Sequence, residues 1–344
     1  MKVISLKNYL QDFSDECLFK RYRKLWRQAE KYEILLNFPL HLDIELSGVC
    51  NLNCEFCFQN KLITRPLGFM DFDLYKKIID EGSSKGLCSI KLQVRGESFL
   101  HPNIFDAIDY AKKNSVMDIQ ITTNATMLNE SFCTKIIKSG LDGIIFSVDK
   151  QHQNSFNCKI ATKNNYSTIE KSIKKFLDIR EKIGSHKPWV RLQTSIEETD
   201  SESINRNKDY IKSKFPQANL IVINRIQNYK DDEDTYPELQ KNYRLLPCSF
   251  LMQRIAIFWN GEVTTCCMDY NNRFQLGNVN EENIQEIWLS EKLHKARNLH
   301  FNGNRIHMPI CKHCHACTES ITDQIDVDKT PRNFADFIEG KEES

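Results

Sequence analysis

Residues 41–57 read HLDIELSGVCNLNCEFC, a short alternating apolar run that opens into a polar loop carrying Cys50, Cys54 and Cys57. The run His41–Leu46 has the length and alternation of a strand. Similar runs recur at Ser89–Val94, Asp118–Thr123, Gly143–Val148, Val190–Ile196 and Leu220–Asn224. Helical patterns separate them at 71–85, 103–114, 129–139, 165–183 and 203–215, with Asp71 and Asn129 as candidate N-caps. Such alternation predicts a parallel sheet joined by right-handed crossovers. Six units predict an α/β fold, an incomplete (β/α)6 TIM-like barrel, where chemistry gathers at the carboxyl ends of the strands. The three-cysteine loop sits at one of those ends.

After about residue 228 the rhythm stops. Asp231–Asp234 reads as an acidic, solvated linker. Arg254–Trp259 and Glu262–Cys266 then flank Asn260-Gly261, a two-residue hairpin signal in which both turn positions favour φ > 0. A helix is expected near 283–299, followed by Cys311, Cys314 and Cys317. Three parts are therefore expected: a helical extension at 1–40, the partial barrel at 41–228, and a smaller cysteine-organised α+β domain with its tail at 229–344. In the extension, Lys20, Arg21, Arg23, Lys24, Arg27 and Lys31 interleave with Phe19, Tyr22, Leu25 and Trp26. That pattern reads as a capping helix with a solvated basic face more readily than as a surface for an anionic partner.

The 47 Lys and Arg almost cancel the 46 Asp and Glu, which disfavours a nucleic-acid partner. No apolar run approaches the ~18–20 residues of a membrane span. The charged N-terminus does not resemble a signal peptide, so a cytoplasmic location is expected. In a reducing compartment the thirteen cysteines point to metal or redox chemistry more than to disulfides. Cys17, Cys88, Cys133 and Cys158 also suit the bland role of small core residues.

Three thiols without a fourth suit a [4Fe–4S] cubane with one open iron, whereas structural zinc prefers four ligands and a closed shell. Cys50-x3-Cys54-x2-Cys57, with Phe56 before the last cysteine, resembles the motif of the radical S-adenosylmethionine (SAM) superfamily. Residues 41–224 resemble the core of that family strand by strand. The resemblance implies a SAM-binding [4Fe–4S] cluster on Cys50, Cys54 and Cys57, and SAM contacts at the strand ends. Arg95-Gly96-Glu97-Ser98 stands where relatives have Gly-Gly-Glu-Pro, which implies that Glu97 holds the SAM ammonium, with Arg95 adding bulk and charge beside it. Asn124 after Thr122-Thr123, and Ser147 and Asp149 around Val148, resemble the polar strand ends that contact SAM in relatives. The stretch Asn157–Thr162 after the fourth strand, where relatives often carry an arginine, has none, so Lys159 or Arg191 is the candidate partner of the SAM carboxylate.

Cys248, Gly261 and Cys266 resemble the opening of a SPASM or twitch domain, and Leu276–Val279 with Ile287-Trp288 resembles its middle. The resemblance implies one auxiliary [4Fe–4S] cluster on Cys248, Cys266, Cys311 and Cys314, with Cys317 an alternative ligand or neighbour and Cys267 a competitor of Cys266. A zinc knot on the same thiols is the structural alternative. His313 and His315 are expected outside the ligand set.

The family implies reductive cleavage of SAM to methionine and a 5′-deoxyadenosyl radical, with an electron donor such as flavodoxin or ferredoxin. A closed auxiliary cluster favours electron acceptance, hence dehydrogenation of a small polyol, sugar or aminocyclitol. Modification of a peptide or protein, as in sulfatase-maturating enzymes and peptide maturases, is the second enzymatic possibility. A non-catalytic iron–sulfur or zinc scaffold is the third. No general base is assigned; Asn224, Arg225, Tyr229, Arg95 and Gln193 are expected near the barrel mouth.

Overall fold

The alternation that begins at His41 produces a strand with two unlike faces. Leu42, Ile44 and Leu46 enter the main hydrophobic core, while His41, Asp43 and Glu45 point the other way and are also buried. The computed structural model describes residues 3–10, 15–54, 57–63, 67–148, 166–196, 200–225, 247–312 and 314, the side chains of 15–17, 166, 201 and 225 excepted. Its strands are β1 (Val3–Ile4), β2 (Leu35–Leu36), β3 (His41–Ile44), β4 (Ser89–Lys91), β5 (Asp118–Thr123), β6 (Gly143–Ser147), β7 (Trp189–Ile196), β8 (Leu220–Arg225), β9 (Arg254–Ile257), β10 (Glu262–Thr264) and β11 (Gly277–Asn278). Between and around them run α1 (Leu6–Leu10), α2 (Asp15–Glu30), α3 (Phe72–Lys85), α4 (Ile104–Lys113), α5 (Glu130–Lys138), α6 (Tyr166–Ile183), α7 (Ser201–Lys214), α8 (Phe250–Gln253), α9 (Ile284–Trp288) and α10 (Glu291–Phe301).

Strands β3 to β8 lie side by side in chain order and pair in parallel, with a helix after each of the first five, which is the expected partial barrel. Asp71 and Asn129 cap α3 and α5 as expected, accepting from Leu74 N at 3.2 Å and Phe132 N at 2.9 Å. The sheet continues past β3. Strand β9 pairs parallel to β3, and β10 and β11 follow antiparallel, so the C-terminal hairpin extends the same nine-stranded sheet.

Two local expectations need correction. Asn260 does not take positive φ; only Gly261 does, at 88°. Gly261 N donates to Phe258 O at 2.9 Å and Phe258 N to Glu262 O at 2.8 Å, a three-residue loop with a bulge glycine in place of a two-residue turn. The longer loop lets Trp259 lie over Gly68, where a Cβ would meet its ring at 2.7 Å. The single helix expected near 283–299 is two, because Ser290 leaves helical geometry and accepts from Leu293 N to cap α10.

The extension is built into the core. Tyr22, Leu25 and Trp26 are buried, Tyr22 Oη lies 2.9 Å from Ser89 Oγ, and Gln253 Nε2 donates to Trp26 O at 3.1 Å. Lys20, Lys24, Arg27 and Lys31 do face solvent. Arg23 does not: its guanidinium is buried, 5.2 Å from the ring of Trp26 one turn on in the same helix, a cation–π contact internal to α2.

The inner face of the barrel is charged. Asp43 meets Lys91 at 3.2 Å, His41 at 3.4 Å and Arg254 at 3.9 Å. Burial alone would raise its pKa, but Lys91, His41 and Arg254 hold it far below the carboxylate range. At the amino-terminal ends of the strands the balance reverses. Burial first, and the Asp142 carboxylate second, push Asp118 up to about 7. The unfolded chain releases that proton near pH 3.9, so the stability it contributes is lost as pH rises through about 7. Asp118→Asn is therefore expected to stabilise the protein by roughly 1–3 kcal/mol at pH 8 and to leave it little changed at pH 4. Urea unfolding across that range measures this, and an unchanged pH profile would refute the placement.

Candidate functional site

The cysteine loop rests on the carboxyl end of β4 because Gly96 has no side chain. A Cβ there would stand 2.2 Å from Ser47 O and 2.4 Å from Val49 O. Glu97 N donates to Val49 O at 2.9 Å, and Gln59 Nε2 bridges Gly48 O at 3.1 Å and Arg95 O at 2.9 Å. Within the loop, Cys57 N bonds Cys54 O at 2.9 Å and Asn60 Nδ2 bonds the same carbonyl at 2.8 Å. The loop is thus tied at both ends before any ligand is considered.

Burial pushes the Cys50 thiol up to about 12, with Glu97 and Cys57 adding to the rise and the Leu52 amide and Asn124 opposing it. A bare thiolate is disfavoured there, and iron supplies the positive charge that such a thiolate needs. Asn124 Nδ2 points at Cys50 Sγ from 3.8 Å and bonds Asn51 Oδ1 at 2.9 Å. Its Oδ1 accepts from Thr126 Oγ1 at 2.6 Å, and Asn51 Nδ2 donates to that hydroxyl at 2.7 Å. Asn51 and Thr126 were not singled out by sequence; both are common loop residues, and only the fold makes them neighbours.

Glu97 turns to the end of β5. Its carboxylate accepts from Thr123 Oγ1 and Asn124 N, each at 2.8 Å, and from Phe99 N at 3.2 Å. Burial raises its pKa and these three bonds lower it. Arg95 does not add charge beside Glu97, as expected from sequence. Its Nε and Nη2 grip Glu45 at 2.7 and 2.6 Å, its Nη1 donates to Tyr270 O at 3.1 Å, and its guanidinium lies 3.9 Å from the Phe258 ring centre. Ser98 is spent on a strand end, donating to Leu92 O at 2.5 Å.

Cys50, Cys57, Gly96, Glu97 and Asn124 are therefore brought together. Ser147, half-buried at the end of β6, stands in register with Gln193 of β7. Arg191 is buried on β7 with Nη2 2.9 Å from Gln193 Oε1. Phe56, Asp149, Cys158, Lys159, His313, His315 and Cys317 lie outside the described residues.

The second cysteine group assembles around Cys266. Burial raises this thiol well above its usual range, and Cys267, Cys248, Cys314 and Cys311 add to the rise in that order. Four residues far apart in sequence thus share one electrostatic neighbourhood. Cys267 faces elsewhere: it packs on Val94, Ala256 and Phe258 inside the barrel, where burial raises its thiol and Lys91 and Arg254 oppose Asp43.

Side chains from three directions hold the backbone of these cysteines. Tyr32 Oη, from the N-terminal extension, donates to Cys248 O at 2.8 Å. Cys248 N donates to His300 Nδ1 at 3.1 Å. Arg305 Nη2 donates to Cys311 O at 3.0 Å and also to Cys314 O. Burial disfavours a bare thiolate in both groups, and the positive charge of iron would offset that. Thiols in this pattern fit iron–sulfur clusters.

Comparison with known proteins agrees. Residues 44–185 match the radical SAM superfamily and residues 248–317 match an iron–sulfur cluster-binding domain of the SPASM type. The chain is 25% identical over 339 residues to a tungsten-containing aldehyde ferredoxin oxidoreductase cofactor-modifying protein of Pyrococcus furiosus, covering 84% of this chain and 90% of the other. It is 24% identical to the antilisterial bacteriocin subtilosin biosynthesis protein AlbA of Bacillus subtilis, covering 84% and 69%. In structure it resembles BtrN in complex with AdoMet and 2-DOIA, with a TM-score of 0.54, 17% identity and coverage of 81% and 93%. It also resembles anSMEcpe with bound AdoMet, at a TM-score of 0.59, 18% identity and coverage of 82% and 91%.

Gly96→Ala is expected to lift the cysteine loop off β4 and to lower iron bound on anaerobic reconstitution by about half. Iron per chain, read beside an unchanged circular dichroism spectrum, measures this. Full loading would show that the close backbone approach is not needed.

Proposed function

The chain is a radical SAM enzyme with a C-terminal auxiliary iron–sulfur domain, and from that premise we propose that it dehydrogenates a small polyol, sugar or aminocyclitol. Cys50, Cys54 and Cys57 hold the SAM-binding cluster, and Cys248, Cys266, Cys311 and Cys314 hold one auxiliary cluster. Bound there, the first cluster and SAM supply a 5′-deoxyadenosyl radical, with a flavodoxin- or ferredoxin-like protein as electron donor. The residues around them orient SAM and substrate and exclude water.

The gathering of Cys248, Cys311 and Cys314 about Cys266 carries this reading. Four thiols complete the shell of one cubane and leave no iron for a substrate atom, which favours an electron-accepting role. Turning an alcohol into a carbonyl removes one hydrogen atom, one proton and one further electron; a cluster held by Cys248, Cys266, Cys311 and Cys314 would supply the acceptor for that electron. The barrel interior supports a hydroxylated substrate. Gln93, Gln120 and Gln193 stand on the inner face of β4, β5 and β7 or just beyond it, offering amide groups to hydroxyls. Glu97 and Asn124, beside Cys50, hold the polar end of SAM, and Arg191 is the candidate for its carboxylate.

The similarity to AlbA, and to SuiB from Streptococcus suis, solved with the precursor peptide SuiA at a TM-score of 0.51, supports peptide modification as the second reading. One experiment decides between them. Anaerobically reconstituted protein with SAM and dithionite is expected to form 5′-deoxyadenosine, and a polyol or aminocyclitol panel to yield one carbonyl per nucleoside. Nucleoside formation coupled only to a peptide would overturn the small-molecule reading. Its absence with full iron loading would overturn the radical reading as well.

A further inference from the structure

Near the auxiliary cysteines lies a set of buried donors with nothing to bond among the described residues. His300 is fully buried, and its Nδ1 accepts the Cys248 amide hydrogen, so its own hydrogen sits on Nε2. That Nε2 has no partner among the described residues. The hydroxyls of Ser249 and Thr265, 2% and 1% exposed, are likewise unpartnered. Each flanks a proposed ligand, Ser249 beside Cys248 and Thr265 beside Cys266. Arg297 adds a fourth: its Nε and Nη1 bond Leu251 O and Trp288 O, each at 2.9 Å, and its Nη2 is unpartnered.

An unsatisfied buried donor costs about 1–3 kcal/mol. A fold that keeps four of them about one pair of cysteines has acceptors in view that are not amino-acid atoms. The thiolate and sulfide sulfurs of an iron–sulfur cluster are such acceptors, and hydrogen bonds to them raise its reduction potential. The neighbouring arginines act in the same direction, because reduction adds negative charge to the cluster. Arg305, held on the carbonyls of Cys311 and Cys314, also removes two backbone acceptors that would otherwise compete for these donors.

We propose that His300 Nε2, Ser249 Oγ and Thr265 Oγ1, reinforced by Arg297, donate to sulfurs of the auxiliary cluster and set its potential high enough to accept the substrate's electron. The proposal rests on the electron-accepting role given above. These are positioning residues for the redox step, and none of them needs to touch substrate.

The test uses the full chain carrying Cys50→Ala, Cys54→Ala and Cys57→Ala, so that only the auxiliary cluster reports. His300→Asn keeps an acceptor for the Cys248 amide through Oδ1 while removing the Nε2 donor; Ser249→Ala and Thr265→Val remove only hydroxyls. Iron per chain and a redox titration followed by electron paramagnetic resonance are measured for each. About four irons are expected throughout. Each variant is expected to be about tenfold harder to reduce, a 59 mV fall for a one-electron couple. Midpoints equal to the parent in all three variants would overturn the proposal. Loss of iron in all three would also overturn it, since the donors would then be structural; loss in His300→Asn alone leaves the decision to the hydroxyl variants. A zinc-filled parent would remove the cluster itself. If the midpoints shift but the enzyme with Cys50, Cys54 and Cys57 intact oxidises no polyol, the donors stand and the dehydrogenase reading falls. Unmoved midpoints in an enzyme that oxidises polyols would do the reverse, removing the donors and leaving the dehydrogenase in place.

Discussion

The buried pair of Glu45 and Arg95 is the contact on which the arrangement of the molecule depends. Two parallel charge-assisted bonds join the end of the first barrel strand to the end of the second. The same guanidinium reaches Tyr270 O and stacks on Phe258, both from the C-terminal segment, while the Arg95 carbonyl takes Gln59 from the cysteine loop. Glu45 also receives Trp259 N at 3.2 Å. Breaking such a pair by removing one partner costs about 3–5 kcal/mol, because the other charge is left in a dry interior. Here the loss would fall on the junction between the cysteine loop and the hairpin.

Around that junction the Cys50 loop is held from both parts of the chain. Phe58 stacks on Tyr270 at 5.0 Å, and Ile63 N and Lys61 O both bond Asn271. The loop that carries Cys50, Cys54 and Cys57 and the segment beginning at Cys266 are therefore one packed unit. Their relative position is set by protein contacts, before any cofactor arrives. The N-terminal extension reaches the same region from behind, through Tyr32 on Cys248.

Both cysteine groups are placed where free thiolates are disfavoured. Burial raises Cys50 and Cys266, and neighbouring thiols raise them further. The same burial that penalises a bare thiolate strengthens its attraction to iron, so the sites are poor as apo-sites and good as cluster sites. Cys88 and Cys133 show the contrast: they too are buried and raised, but among apolar core neighbours, as expected of small hydrophobes.

The order of β3 to β8, the helices between them with the caps Asp71 and Asn129, and the place of the three-cysteine loop were legible in the chain, because each follows from local periodicity and the handedness of crossovers. Cysteine spacing likewise separated two thiol groups from the core cysteines. What periodicity does not carry is which side chain meets which across the sheet. Arg95 reads as a departure beside Glu97 and proves to belong to Glu45, fifty residues away. Cys266 and Cys267 are chemically identical in sequence, and only the direction of the backbone after β10 sends one toward Cys248 and the other into the barrel. Asn124 reaching Cys50, Tyr32 reaching Cys248 and the donors about Cys266 are long-range encounters of the same kind. Local sequence determines elements because their energetics are local; buried charge and hydrogen-bond pairing is decided by closure of the barrel, which brings distant residues into one low-dielectric interior.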